Sequence, residues 1–97
     1  MRTMLKVHLP VERGNEVVKN GKLAEVVKRT METWKPEAAY FFPDNGKRSF
    51  FMIFDLKDPS QIPAVAEPFF QELNAEFELI PVMNADDLMK GLAQISK

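Results

Sequence analysis

The sequence contains no cysteine in its 97 residues, and this absence excludes several kinds of chemistry. Without thiols the chain can form no disulfide, no thiolate nucleophile and no cysteine-ligated metal site. The chain also has a single histidine, His8, so one subunit cannot build a metal site from several histidines. We therefore expect neither a bound metal nor a cofactor.

The sequence also has no excess of charge of one sign and no long apolar run. Thirteen Lys and Arg residues against 14 Asp and Glu residues leave a net charge of −1, which provides no long-range attraction to nucleic acid or to an anionic membrane. No apolar stretch approaches the roughly 20 residues of a membrane-spanning helix, and the apolar core of the first ten residues is too short for a signal peptide. We expect a cytoplasmic protein with one domain, residues 1–97.

The first third of the chain predicts a strand followed by a helix. Residues 3–9 alternate between apolar and polar side chains, which is typical of a strand. From an N-cap at Asn15, apolar and small residues recur at spacings of three and four as far as Trp34, and this pattern predicts one helix. Gly21 inside that helix costs about 1 kcal/mol relative to Ala, so it either permits close packing or marks a loosened turn.

The middle of the chain predicts a β-hairpin. Residues 37–42 and 49–56 are rich in aromatic and β-branched side chains, and Asn45-Gly46 between them is the preferred sequence of a tight two-residue turn. The two strands are therefore antiparallel neighbours.

Two further helices and one strand complete the pattern. Asp58, with Pro59 after it and Gln61 at the third helical position, predicts a capped helix start, made irregular by Pro63. Residues 75–82 alternate as a fourth strand, and Asn84 caps a C-terminal helix with two acidic residues in its first turn.

This order predicts a ferredoxin-like α+β sandwich. Right-handed crossovers and the hairpin give a four-stranded antiparallel sheet with two main helices on one face, strand order 4-1-3-2, and a C-terminal helix. The third strand, however, carries bulky apolar residues on both of its faces, so each face of the sheet needs a cover. The second face can meet an identical subunit, stack single-stranded nucleic acid, or receive the C-terminal helix.

An identical subunit is the cover that we expect. The aromatic strand pair exceeds the roughly 300 to 600 Å² of apolar surface that a typical monomer exposes in one patch, and one self-complementary surface serves both subunits of a two-fold dimer. In its element order, in FFMIFDLKDPSQIP (residues 50–63) and in FELIPVMNADDL (residues 77–88), the chain resembles the dimeric α+β barrel superfamily, in particular its small uncharacterised bacterial members. The resemblance implies a homodimer that pairs two sheets face to face into one barrel.

The reaction stays open. The superfamily includes monooxygenases, isomerases, haem-related enzymes and proteins with no known activity, and fold likeness does not transfer chemistry. A small molecule bound between the sheet and the dimer partner is the function that we expect, with a small monooxygenase or isomerase as an alternative.

RNA recognition is another alternative, because RNA-recognition modules share this topology and place stacking aromatics on the third strand. Their third-strand motif is matched in KRSFFMIF at Lys47, Phe51 and Phe54. The first strand offers no aromatic ring other than that of His8. The motif fails at Arg48, Ser49 and Phe50. We therefore do not expect a nucleic-acid partner.

The candidate site consists of Lys6, His8, Tyr40 and Glu78, because the polar residues of the first and fourth strands should point away from the helices. Lys6 would hold an anion, His8, the candidate catalytic residue, would move a proton, and Tyr40 would orient the ligand. Each also has a purely structural interpretation. Lys6 pairs with Glu76 or Glu78 across the strands, His8 is covered by the partner or paired with a carboxylate, and Tyr40 is buried with its hydroxyl bonded to the backbone.

Overall fold

The computed structural model describes residues 1–96, which form four β-strands and four α-helices. The elements follow the predicted order except that two helices replace the first one. Their bounds are β1 Arg2–His8, α1 Val11–Lys19, α2 Lys22–Trp34, β2 Ala38–Asp44, β3 Lys47–Asp55, α3 Ile62–Leu73, β4 Glu76–Pro81 and α4 Ala85–Ile95.

The strands form one antiparallel sheet in the order β2-β3-β1-β4. Read from β4, this is the predicted order 4-1-3-2. The α+β class and the antiparallel sheet are therefore as the sequence predicts. β1 and β3 lie at the centre, and β2 and β4 lie at the two edges.

The predicted single helix of residues 15–34 is wrong. Gly21 adopts φ +79°, a left-handed conformation that glycine tolerates best, and it separates α1 from α2. Asn15 is not an N-cap, because α1 begins directly after Pro10, whose carbonyl accepts the Gly14 N–H at 2.8 Å. Gly21 therefore ends one helix and starts the next, which was one of its two predicted roles.

The hairpin turn has the predicted form. Asn45 and Gly46 have φ values of 54° and 77°, and two consecutive positive values define the turn that matches the twist of antiparallel strands. The turn sets Asp44 opposite Lys47. It thereby fixes the register of the whole hairpin.

The other two predicted helix caps, at Asp58 and Asn84, are present. The Asp58 carboxylate accepts the Ser60 N–H at 2.9 Å, and the Gln61 side chain accepts the Asp58 N–H at 3.2 Å. A 3-10 turn, Pro59–Gln61, precedes α3 and accounts for the irregular start. The Asn84 side chain caps α4 by accepting the Asp87 N–H at 2.8 Å.

One face of the sheet packs against α1, α2 and α3 and forms the core. Val7, Phe50 and Phe69 meet at its centre with exposures of 0–2%, and the rings of Phe50 and Phe69 lie 5.9 Å apart. Burial of each such side chain stabilises the fold by about 1.5–3 kcal/mol. The other strand residues of this core are Leu5, Met52, Phe54 and the partly buried Phe77 and Leu79.

The opposite face of the sheet, called the helix-free face below, receives no helix from residues 1–96. The alternation of the strands places on it Met4, Lys6 and His8 of β1, Phe51 and Ile53 of β3, Tyr40 and Phe42 of β2, and Glu78 and Ile80 of β4.

The C-terminal helix does not cover the helix-free face, so that alternative is wrong. α4 contains no buried residue. The start of α4 is held to the start of β1 by an ion pair between Arg2 Nη1 and Asp87 Oδ2 at 2.7 Å. The backbone is elongated, at 56 × 29 × 17 Å. No helix within residues 1–96 is long and apolar enough to cross a membrane.

Candidate functional site

Three of the four predicted site residues share one row across the sheet. The register sets Glu78 opposite Lys6, Lys6 opposite Phe51, and Phe51 opposite Tyr40. Neighbouring strands lie about 4.8 Å apart, so Lys6 adjoins Glu78 while Phe51 separates it from Tyr40. His8 lies two residues further along β1. All four residues belong to the helix-free face, and the polar alternation of β1 and β4 predicts this position for Lys6, His8 and Glu78.

Lys6 is half-buried on this face and forms no ion pair with any of residues 1–96. Glu78 stands directly opposite on β4, which confirms the expected cross-strand neighbour. Within residues 1–96, however, no carboxylate oxygen lies within 4.0 Å of the Lys6 Nζ. The next row of the face is apolar, with Ile80, Met4 and Ile53 in register. The ammonium group is therefore available to an anionic ligand.

Tyr40 is 61% exposed, so its structural interpretation as a buried, backbone-bonded tyrosine is wrong. It lies on the edge strand β2 and on the face that no helix of residues 1–96 covers. Its ring lies 5.6 Å from that of Phe51. The two rings form an apolar wall beside Lys6.

His8 makes a hydrogen bond that defines which of its nitrogens is free. The Ser49 hydroxyl donates to the Lys47 carbonyl at 3.1 Å and lies 2.8 Å from His8 Nδ1. Ser49 and His8 therefore share a hydrogen bond through Nδ1, and Nε2 is the ring nitrogen that lies outside this bond.

The surroundings of His8 do not form a Ser-His-Asp triad. Asp44 Oδ2 lies 3.9 Å from His8 Nδ1, the same nitrogen that Ser49 contacts. A triad needs the nucleophile and the acid on opposite nitrogens. His8 and Asp44 instead line a polar cleft of about 350 Å³ together with Asn45, Lys47 and Glu76. In the part of the chain that the structure describes, no three His, Asp or Glu side chains are grouped to hold a metal ion.

A family model for a domain of unknown function, DUF3303, matches residues 1–96. The chain belongs to the DUF3303 family. A search of the curated proteins finds no match. The DUF3303 match includes every strand of the sheet and all of the candidate site.

Two DUF3303 residues that contact His8 were not predicted from the sequence. The Asn45-Gly46 turn predicts the hairpin register, which sets Ser49 opposite Phe42 and Asp44 opposite Lys47. The pairing that brings His8 to Ser49 joins β1 to β3, which are separated by two helices and a strand. No turn in the sequence fixes that register.

The third-strand aromatics of the DUF3303 chain do not share a surface. Phe51 lies on the helix-free face, whereas Phe54 is 2% exposed in the core on the other side of β3. Stacking of successive bases requires rings on one accessible face. Of the two matched aromatic residues, only Phe51 has its ring on an accessible face.

Proposed function

We propose that this DUF3303 protein is a homodimer of ferredoxin-like subunits that pair their helix-free faces into a barrel and bind a small anionic molecule inside it. The observation that carries the proposal is Lys6, which forms no ion pair within residues 1–96 and lies on the helix-free face between apolar rows and the carboxylate-bearing Glu78. The apolar side chains of this face are Met4, Tyr40, Phe42, Phe51, Ile53 and Ile80.

The apolar side chains of the helix-free face supply the driving force for association. At about 25 cal/mol per Å², burial of roughly 500 Å² on each subunit corresponds to more than 10 kcal/mol before other terms are counted. Association costs an estimated 4–15 kcal/mol or more, depending on the reference used. A two-fold axis supports the pairing, because the same patch then serves both chains.

Lys6 supports an anionic ligand. Pairing of the two faces brings Lys6 of both subunits into one interior, where a cation without an opposite charge is costly. Glu78 beside each lysine compensates part of that charge. An anion with an apolar body satisfies both Lys6 and the rings of Phe51 and Tyr40.

Benzoate is a suitable probe, since it joins a carboxylate to a single aromatic ring. Titration of the full-length protein by NMR is expected to shift resonances of β1 and β3. A charge-assisted hydrogen bond contributes about 1.5–3 kcal/mol, so Lys6→Met should weaken benzoate binding by roughly tenfold or more. Lys28→Met, on the exposed side of α2, is the matched control and should leave binding unchanged. Equal affinities for wild type and Lys6→Met would contradict the anion site.

A catalytic role for His8 is the second candidate function. It is favoured by the hydrogen bond to Ser49, which occupies Nδ1 and leaves Nε2 for a bound molecule. An enzyme of the monooxygenase or isomerase type fits this arrangement. In that case His8→Ala abolishes turnover of the substrate while the sedimenting mass and the circular dichroism spectrum remain those of wild type.

A further inference from the structure

The C-terminal helix α4 carries an apolar stripe that nothing in its own chain covers among residues 1–96. Leu88, Leu92 and Ile95 recur at spacings of four and three and therefore lie on one face of the helix. Their exposures are 43%, 43% and 79%, and Met89 beside them is 64% exposed. An isolated helix of 11 residues is marginal in water, so a folded α4 requires a surface to pack on.

The body of the same subunit is not that surface. α4 follows the edge strand β4, and its first turn is held there by the Asn84 cap and the Arg2–Asp87 ion pair. The Cα radius of gyration is 15.4 Å, against about 12.5 Å for a compact chain of this length. α4 therefore extends away from the subunit with its stripe uncovered.

An apolar groove of about 380 Å³ lies at the opposite edge of the sheet. It runs between the helix pair α1 and α2 and the edge strand β2. Its rim is open, with Val18 49% exposed and Phe41 54% exposed. The further apolar side chains that line it are Leu9, Leu23, Val27, Pro43 and Phe50.

Pairing of the helix-free faces about a two-fold axis that is parallel to the strands would bring these two surfaces together. In the order β2-β3-β1-β4, a two-fold axis parallel to the strands sets the β4 edge of one subunit beside the β2 edge of its partner. α4 follows β4 after only residues 82–84, so it emerges at the start of the partner's β2. Leu92 lies about 10 Å from Ala85, the first residue of α4. Phe41 lies about 10 Å from Ala38, the first residue of β2. The two side chains are therefore equally far along their elements.

We infer that α4 of each subunit packs its apolar stripe into the groove beside β2 of the other subunit. The occupant of the groove is thus a second copy of this chain, and the exchange is reciprocal. The inference rests on the proposed homodimer and adds a second contact region to it, on the helix side of the sheet.

The absence of native cysteine allows a direct test by disulfide cross-linking. Val18→Cys and Leu92→Cys variants of the full chain are co-expressed and mildly oxidised. A disulfide forms only between residues whose Cα atoms come within about 7 Å. We expect a linked dimer that contains one chain of each variant. Lys90→Cys, on the other side of α4, is the matched control and should not link to Val18→Cys.

Sedimentation of the same samples separates the possible failures. A mass of two chains without the Val18–Leu92 link overturns the groove contact and leaves the proposed dimer standing. Cross-linking of Leu92→Cys chains to one another shows that the α4 helices pair together, and this also overturns the groove contact. A mass of one chain overturns both proposals.

Discussion

The two faces of one sheet differ in what they carry and in what covers them. The covered face holds Val7, Phe50 and Met52 with exposures of 0–2%, packed against helices of the same chain. The helix-free face holds Phe51 and Ile53 of the same strand β3 together with the charged or titratable side chains of Lys6, His8 and Glu78. Two apolar faces require two covers, and the charged or titratable side chains lie on the face where we propose that a ligand and a partner bind.

The two faces also stabilise the protein in different ways. Packing within a chain is independent of protein concentration, whereas a surface buried by a second copy contributes only as far as the dimer forms. The covered face therefore determines whether the subunit folds. In the proposed dimer, the helix-free face determines whether two subunits associate.

Removal of a large side chain from the covered face should have the largest effect on stability. Phe50→Ala deletes a ring that contacts Phe41 and Phe69, and such a deletion costs about 3–5 kcal/mol of unfolding free energy. Urea unfolding at low protein concentration measures this loss. Tyr40→Ala, on the helix-free face, is the comparison and should change the monomer by less than about 0.5 kcal/mol. Equal losses for the two variants would show that the faces are not distinct.

A charge on the helix-free face should break association without unfolding the subunit. Ile53→Asp buries an unpaired carboxylate in the proposed interface, and the dimer dissociation constant should rise by roughly 100-fold. Analytical ultracentrifugation gives the constant, and circular dichroism shows whether the subunit stays folded. Val11→Asp, at the exposed start of α1, is the matched control and should sediment as wild type. An unchanged mass for Ile53→Asp would place the interface elsewhere.

Local signals in the sequence predicted most of the fold. Alternation identified the strands, the Asn45-Gly46 turn identified the hairpin, and the caps at Asp58 and Asn84 lie where they were expected. Gly21 was the exception, because the apolar spacing continues across it and hides the break between α1 and α2. Periodicity reports which residues share a face, not whether the backbone between them is continuous.

Contacts between segments that are distant in the chain could not be predicted from the sequence. The hydrogen bond between His8 and Ser49 depends on the register of β1 against β3, which no turn sets. The placement of Lys6, His8 and Glu78 on one face followed from alternation alone. The Arg2–Asp87 ion pair at the start of α4 likewise joins residues near the two ends of the described chain.

The smallest expected effect concerns pH and the start of α3, away from both faces. Hydrogen bonds from the hydroxyl and the backbone N–H of Ser60 lower the pKa of Asp58 below its ordinary value of 3.8. A lowered folded-state pKa gives stability that is present above the ordinary value and is lost as the pH falls through the lowered one. The melting temperatures of wild type and Asp58→Asn should therefore differ at pH 6 and converge below pH 3.8. A constant difference across this range would contradict the role of the ionised carboxylate.

The sedimenting mass of the wild-type protein tests the central claim most directly. Each chain has a mass of 11.1 kDa, and the pairing of helix-free faces predicts a species of twice that mass at micromolar concentration. A single species of 11.1 kDa over the whole micromolar range would contradict it.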